Sequence, residues 1–144
     1  NPDKICACRM HRIVLEEENK PASYLKWKYG IDDEQVLPLN FPTGVGGILY
    51  PPKCFNQKVF NDKVFMDICP NADDIWFYAM ALLNGTKSIW VKNDKPEGYY
   101  YSLPLSKDAL CLQNTVANEN NICGNDVQFS AILEKYNLTD YWEK

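Results

Sequence analysis

The chain has 144 residues, a formal net charge of −4 and an isoelectric point near 5.0. This length suffices for one domain with a hydrophobic core, and the acidic balance argues against nucleic acid or an anionic membrane surface as the main partner. Hydrophobic residues make up 46% and aromatic residues 13% of the chain, so a globular protein is expected. The sequence shows no apolar run of bilayer-spanning length and no signal-peptide pattern.

The first predicted element is a single β-strand over residues 4–14, KICACRMHRIV, because apolar and polar residues alternate there. Arg9, His11 and Arg12 form a small basic group near its end. Such a group can bind a phosphate or diphosphate, but it can equally be a solvated strand edge. His11 is the only histidine of the chain, which excludes any internal site that needs two.

Further strands are predicted over residues 46–50 and 87–92, where short apolar runs are bounded by turn residues. Pro51 closes the first of these, since proline cannot donate a hydrogen bond to a sheet. Residues 23–29 predict a short strand-like or irregular segment, and residues 99–105 an extended aromatic one.

Two helices are predicted in the middle of the chain. Asn61 is expected to cap a helix over residues 62–68, and Asn71 to cap one over residues 72–84. Gly85 is the expected stop of the second helix. Apolar residues at helical spacing predict that much of this helix is buried: Ile75, Ala79, Leu82 and Leu83.

Asn125 is expected to cap a last helix over residues 126–136. Its predicted apolar stripe consists of Val127, Ile132 and Leu133. About four strands and three helices in mixed order predict one compact α/β domain over residues 1–144, with too few strands for a complete doubly wound sheet.

Six cysteines are present: Cys6, Cys8, Cys54, Cys69, Cys111 and Cys123. Their spacings match no compact secreted framework, so free cysteines in a reducing compartment are expected. Cys69 and Cys123 lie in apolar or helix-edge settings, where cysteine acts as a small hydrophobic residue. Cys6 and Cys8 would point away from His11 on a strand, so no metal site is predicted.

The most conspicuous polar feature is the acid pair Asp73 and Asp74. With Asn71 as the cap, these residues would occupy the second and third helical positions, where the helix dipole favours ionised carboxylates. A carboxylate there is a candidate general base, or an oxygen ligand for a divalent cation. The alternative is ordinary helix capping without any chemistry.

A glycine segment precedes the strand at residues 46–50. Gly44, Gly46 and Gly47 follow Thr43 and would let the backbone pass close to a ligand. The spacing is neither a dinucleotide-binding fingerprint nor a phosphate loop. The alternative is a tight turn into a buried strand.

Three segments together resemble the C-terminal half of bacterial glycosyltransferases with a GT-A fold, related to family 2 and found in capsule and lipopolysaccharide gene clusters. They read FPTGVGGILYPP, VFNDKVFMDICPNADDIWFYAMALLNGT and CGNDVQFSAILEKYNL. The matching residues are His11-Arg12, Pro42-Thr43-Gly44 with Gly46-Gly47, Tyr50-Pro51-Pro52, and Ala72 to Phe77.

The resemblance implies a partial GT-A fold, which is Rossmann-like, with a mixed sheet and about three helices. It implies that Asp73 or Asp74 deprotonates the acceptor hydroxyl group, in an inverting reaction. Gly46 and Gly47 would line the donor-sugar site.

The resemblance also implies substrate-binding roles for five further residues. Tyr50 and Trp76 would shape the pocket, and Thr43, His11 and Arg12 belong to the matching motifs.

The expected partners are a nucleotide-sugar donor and a glycan or lipid-linked acceptor, with no nucleic acid. The family holds a divalent metal, Mn or Mg, with an Asp-x-Asp motif, which this chain lacks. The chain is therefore expected to be the C-terminal acceptor and catalytic portion of a longer enzyme, inactive alone and without its own metal.

A cytoplasmic location is expected, with the inner membrane face and the oligomeric state left open. The alternative function is a non-catalytic carbohydrate- or protein-binding module.

Overall fold

The computed structural model describes residues 3–92 and 124–143 of the chain. Within these ranges the protein is a mixed α/β structure with three α-helices, a three-stranded mixed sheet and a two-stranded antiparallel sheet. The α/β class predicted from the sequence is confirmed at this level. The predicted extended segment 99–105, Cys111 and Cys123 lie outside the described residues.

Five short strands form the two sheets. Strand β1 (Ile5–Ala7) lies between β4 (Ile48–Leu49), to which it is antiparallel, and β5 (Ser88–Trp90), to which it is parallel. Strand β2 (Met10–Arg12) pairs with β3 (Asn40–Pro42) in the antiparallel sheet. The strands predicted within residues 46–50 and 87–92 are therefore present, although both are shorter than predicted.

The prediction of one continuous strand over residues 4–14 is wrong. The chain bends at Cys8 and Arg9, so β1 and β2 belong to different sheets. The carbonyl of Cys8 accepts a hydrogen bond from the Trp90 indole at 3.1 Å, and the carbonyl of Arg9 accepts one from the Thr43 backbone at 3.2 Å. Two successive residues thus bond to different parts of the fold, which the alternating pattern could not reveal.

The three helices are α1 (Asp62–Ile68), α2 (Asp73–Leu83) and α3, which runs over Gly124–Tyr136. Asn61 caps α1 as predicted, because its side chain accepts a hydrogen bond from the Val64 N–H at 3.1 Å. None of the helices among the described residues is long and apolar enough to cross a membrane.

The predicted cap of α2 is wrong. Ala72 is the N-cap residue, and α2 begins at Asp73. The backbone N–H of Asn71 instead donates to the side-chain oxygen of Gln128 on α3, at 3.1 Å. At the other end, Gly85 follows the helix with φ of +73°, which confirms its predicted role as the stop.

The start of α3 also differs from the prediction. Asn125 lies inside the helix and not at its cap. Val127 is 52% exposed, whereas Ile132 and Leu133 are buried as predicted. Gln128 and Phe129 complete the buried face of α3. The predicted apolar stripe is therefore wrong at Val127.

The main hydrophobic core surrounds α2. This helix buries seven of its residues: Ile75, Trp76, Tyr78, Ala79, Met80, Ala81 and Leu82. Aromatic rings from the strands and from α3 pack against it, with ring centroids 5.3 Å apart for Phe41 and Tyr78 and 5.0 Å apart for Trp27 and Phe129. Cys69 is fully buried in the same core and acts as the small hydrophobic residue that was predicted.

Asn40 connects the two sheets. It is 1% exposed, and its side-chain amide donates to the carbonyls of Gln35, at 2.6 Å, and Ser88, at 3.0 Å. Its side-chain oxygen accepts from Arg12 Nε at 3.1 Å and Nη2 at 2.9 Å. This one side chain therefore satisfies polar groups on β2, on β5 and on the segment before β3.

Replacement of Asn40 by alanine is expected to lower the free energy of unfolding by about 2–4 kcal/mol, because the buried Ser88 carbonyl loses its donor and the Arg12 guanidinium loses its acceptor. Asn84→Ala is the control, since the exposed Asn84 amide donates to Lys53 and Thr86 at 3.0 and 3.1 Å. Chemical denaturation of both variants measures the difference. Equal losses in the two variants would contradict the connecting role of Asn40.

Candidate functional site

The acid pair predicted from the sequence forms the first turn of α2. Oδ1 of Asp73 accepts a hydrogen bond from the backbone N–H of Asp74 at 3.0 Å, and Oδ1 of Asp74 accepts one from Ile75 at 3.0 Å. Ala72 has no side chain that could cap these N–H groups. Each carboxylate therefore uses Oδ1 for capping, and the Asp74 carboxylate also interacts with its own backbone N–H.

The two carboxyl groups lie in different environments, since Asp73 is exposed and Asp74 is half-buried. Burial, together with the negative charge of Asp73, raises the pKa of Asp74 from 3.8 to about 6. Hydrogen bonding to the Ile75 N–H and the charge of Arg9 oppose this shift without cancelling it. A carboxylate with a pKa near 6 is mostly ionised at neutral pH and still accepts a proton readily, as a general base must.

Three half-buried aromatic rings, here called the aromatic trio, pack against one another: Tyr50, Phe55 and Phe77. Their ring centroids are 5.0 Å apart for Tyr50 and Phe55, 5.6 Å for Tyr50 and Phe77, and 5.3 Å for Phe55 and Phe77. Burial, followed by the charges of Asp74 and Asp73, raises the pKa of Tyr50, so its hydroxyl group stays neutral near both acids.

Arg9 contacts the glycine segment and interacts electrostatically with Asp74 of the acid pair. Its Nη1 donates to Oγ1 of Thr43 at 3.3 Å, and its positive charge lowers the pKa of Asp74. A Cβ atom at Gly46 would lie against the Cβ of Arg9 and 2.9 Å from its backbone nitrogen, so no side chain fits there. The sequence predicted that the backbone at this glycine lies close to a ligand, but in the structure it lies close to Arg9 of the chain itself.

Gly47 serves the turn that leads into β4. Its φ of +81° lies in the region that favours glycine, and it follows the single-turn 3-10 helix Gly44–Gly46. The turn of the alternative prediction is thus present, but the strand that it enters is not buried, since Leu49 is 69% exposed. A role of Gly46 and Gly47 beside a donor sugar stays a prediction.

The structure does not bring Trp76 or Arg12 to this site. Trp76 is 2% exposed, its ring centroid lies 5.6 Å from that of Phe65, and its indole N–H donates to the Val59 carbonyl at 3.3 Å. Arg12 donates to both carboxylate oxygens of Asp33, at 3.0 and 2.8 Å. Both side chains are therefore engaged in the fold and not turned to the acid pair.

His11 is fully buried and does not lie on a solvated strand edge. Its Nδ1 accepts a hydrogen bond from the Gly30 N–H at 3.2 Å, and its ring centroid lies 4.4 Å from that of Tyr29. Burial, together with the charge of Arg9, lowers its pKa from 6.5 to about 4. Because the ring is neutral at physiological pH, it cannot act as a cation for a phosphate.

Metal sites and cavities give no separate indication of function. Within the described residues, no group of three or more His, Cys, Asp or Glu side chains is placed to hold a metal ion. A cavity of about 300 Å³ lies between Lys20 and α3, and one of about 150 Å³ lies next to Gly85. Neither is lined by the acid pair, so the candidate site rests on side-chain geometry and electrostatics.

Comparison of the chain with protein-family models, with curated proteins and with solved structures finds no match. The resemblance to glycosyltransferases thus rests on the sequence motifs alone. The acid pair, the aromatic trio and Arg9 define the candidate site by their geometry and charges, without reference to that resemblance.

The sequence placed Arg9 in a basic group with His11 and Arg12 but did not predict its interaction with Asp74, and it missed Phe55 and Phe77 altogether. Phe77 carried a signal, because it follows Asp73 by four residues and helical side chains at that spacing are neighbours. Phe55 carried none. The placement of Arg9 and Phe55 depends on pairing between residues far apart in the chain, as in the contact of Arg9 with Thr43.

Titration of Asp74 is expected to show a midpoint near pH 6, measured from its carboxyl carbon by NMR. Asp73→Asn should lower this midpoint, because the neighbouring negative charge is removed. Asp67→Asn is the control, since Asp67 is exposed on α1 and is not among the charges that shift the pKa of Asp74. A midpoint near 3.8 in the unmodified chain would show that burial does not govern this carboxyl group.

The neutral state of His11 predicts a loss of stability in acid. Its pKa is about 4 in the folded chain and 6.5 ordinarily, so the unfolded chain binds the proton first as pH falls from 6.5 to 4. The unmodified chain should therefore lose about 3 kcal/mol relative to His11→Phe across this interval. Denaturation at several pH values measures the difference, and a constant difference would contradict the prediction.

Proposed function

We propose that this chain is the acceptor-side, catalytic portion of a glycosyltransferase that moves a sugar from a nucleotide-sugar donor to a hydroxyl group of a glycan or lipid-linked acceptor. The observation that carries the proposal is the Asp74 carboxyl group. It is half-buried at the start of α2 and has a pKa of about 6, although backbone N–H groups of the first turn donate to it. The motif resemblance supplies the class of reaction.

In the proposed reaction, Asp74 accepts the proton of the acceptor hydroxyl group as its oxygen attacks the anomeric carbon of the donor. A new bond forms between that oxygen and that carbon. The bond from the carbon to the nucleoside diphosphate breaks, and its electron pair leaves with the diphosphate. Attack opposite the leaving group inverts the anomeric centre.

Asp73 has a supporting role in this scheme. Its negative charge helps to raise the pKa of Asp74, which makes the Asp74 carboxylate a stronger base. Asp73 itself is exposed and caps the helix through Oδ1. In this proposal the half-buried Asp74 is the base, and the exposed Asp73 raises its pKa.

The aromatic trio supports a carbohydrate as the substrate. Half-buried rings offer apolar faces, and Tyr50 adds a hydroxyl group that stays neutral. Sugar rings also have an apolar face and hydroxyl groups at their edge. Tyr50 is near enough to the acid pair for both negative charges to raise its pKa, and Phe77 follows Asp73 by four residues on α2. A sugar stacked there would have its hydroxyl groups near Asp74.

A divalent metal is implied by the resemblance but finds no fitting group of ligands among the described residues. Asp73 and Asp74 each use one oxygen on a backbone N–H, and no third acidic, histidine or cysteine ligand joins them. No step of the proposed reaction is therefore assigned to a metal held by these residues.

Asp74→Asn is expected to reduce transfer by at least about 100-fold, because the general base is lost while the shape of the side chain is kept. Asp73→Asn should retain transfer and move the pH midpoint of kcat/KM below the value near 6 expected for Asp74. The assay uses the full-length protein that contains this chain, a panel of nucleotide sugars, and magnesium or manganese. Asp67→Asn is the matched control.

Unchanged transfer by Asp74→Asn would contradict the assignment of the base. The alternative function, a non-catalytic carbohydrate-binding module, is favoured by the aromatic trio alone. It predicts glycan binding that is lost in Phe77→Ala, no turnover of any donor, and no effect of Asp74→Asn on binding.

A further inference from the structure

Arg9 is a half-buried cation that the proposed transfer step does not use. Its side chain makes one hydrogen bond, to Thr43 at 3.3 Å, and it forms no ion pair within the described residues. Arg12, the other arginine of the chain, by contrast forms a two-point ion pair with Asp33. A guanidinium group has five N–H donors, so most of those on Arg9 remain available to a ligand.

The position of Arg9 is fixed by its backbone. Its carbonyl accepts a hydrogen bond from the Thr43 N–H at 3.2 Å and lies 3.4 Å from the Thr43 hydroxyl group. Gly46 lies directly against its Cβ atom and backbone nitrogen. These contacts fix the root of the side chain, and the hydrogen bond to Thr43 orients the guanidinium group, which lowers the entropy cost of binding a ligand.

Arg9 and Asp74 carry opposite charges but do not form an ion pair. The charge of Arg9 lowers the pKa of Asp74, so the two groups interact electrostatically, yet no salt bridge joins them. Leaving a charge partly buried without a partner costs free energy. An anionic ligand would supply the missing partner of Arg9.

We propose that Arg9, held by Thr43 against Gly46, binds a phosphoryl group of the substrate. The planar fork of a guanidinium group matches two phosphate oxygens, which a lysine at the same place could not do. Under the proposed function, on which this identification of the ligand rests, the phosphoryl group belongs either to the nucleotide-sugar donor or to a lipid-linked acceptor. The existence of the anion site does not depend on the transfer reaction.

The test measures binding of inorganic pyrophosphate to the full chain by NMR chemical-shift titration at low ionic strength. Arg9→Gln should weaken binding by about tenfold or more, because the charge and the fork are both lost. Thr43→Val should weaken it less, since the cation remains but loses its hydrogen-bonded support. Arg9→Lys should fall between the unmodified chain and Arg9→Gln.

Lys63→Gln is the control, because Lys63 is an exposed cation on α1 and should not affect binding. Circular dichroism establishes that each variant is folded. No binding of pyrophosphate to the unmodified chain, or equal binding by folded Arg9→Gln, would overturn the proposal.

Two further probes distinguish the sources of the phosphoryl group. Uridine diphosphate represents the donor and farnesyl diphosphate represents a lipid-linked acceptor. Arg9-dependent binding of one probe supports the proposal and identifies the source, whereas binding of both probes that is independent of Arg9 would overturn it. Arg9-dependent pyrophosphate binding without any transfer by the full-length protein would support the anion site and reject the glycosyltransferase function.

Discussion

The burial of α2 is the constraint on which the rest of the structure depends. This helix has buried residues on most of its circumference and is contacted by α3, by the aromatic rings around Phe41 and by the segment before α1. Its position is therefore fixed by the hydrophobic core, and its first turn is fixed with it. Because Asp73 and Asp74 occupy that turn, the core determines where the acid pair lies and how much water reaches it.

Two physical effects compete at this first turn. The free N–H groups of a helix start stabilise an ionised carboxylate and lower its pKa, whereas removal of water destabilises the ionised form and raises it. At Asp74 the second effect is the larger, and its pKa rises to about 6. Helix capping and general-base chemistry are therefore compatible, since Oδ1 of Asp74 caps the Ile75 N–H while the pKa of the carboxyl group stays raised.

Local patterns predicted the helices well and the sheets poorly. The apolar spacing of α2, the cap at Asn61 and the stop at Gly85 are all encoded by residues close together in the chain. The separation of β1 from β2 depends instead on the contacts of Trp90 with Cys8 and of Thr43 with Arg9. Likewise, the acid pair and the basic residue Arg9 were visible in the sequence, whereas the electrostatic interaction between Arg9 and Asp74 became apparent only from the fold.

Arg9 affects two buried groups with opposite consequences. Its positive charge lowers the pKa of Asp74 and also that of His11. At Asp74 this favours the ionised form that a base requires, and at His11 it favours the neutral form that the core requires. A phosphoryl group bound to Arg9 would offset that positive charge and so raise the pKa of Asp74. In the proposed reaction, Asp74 would then be a stronger base when the substrate is bound, because Arg9 links phosphoryl binding to the basicity of the carboxylate.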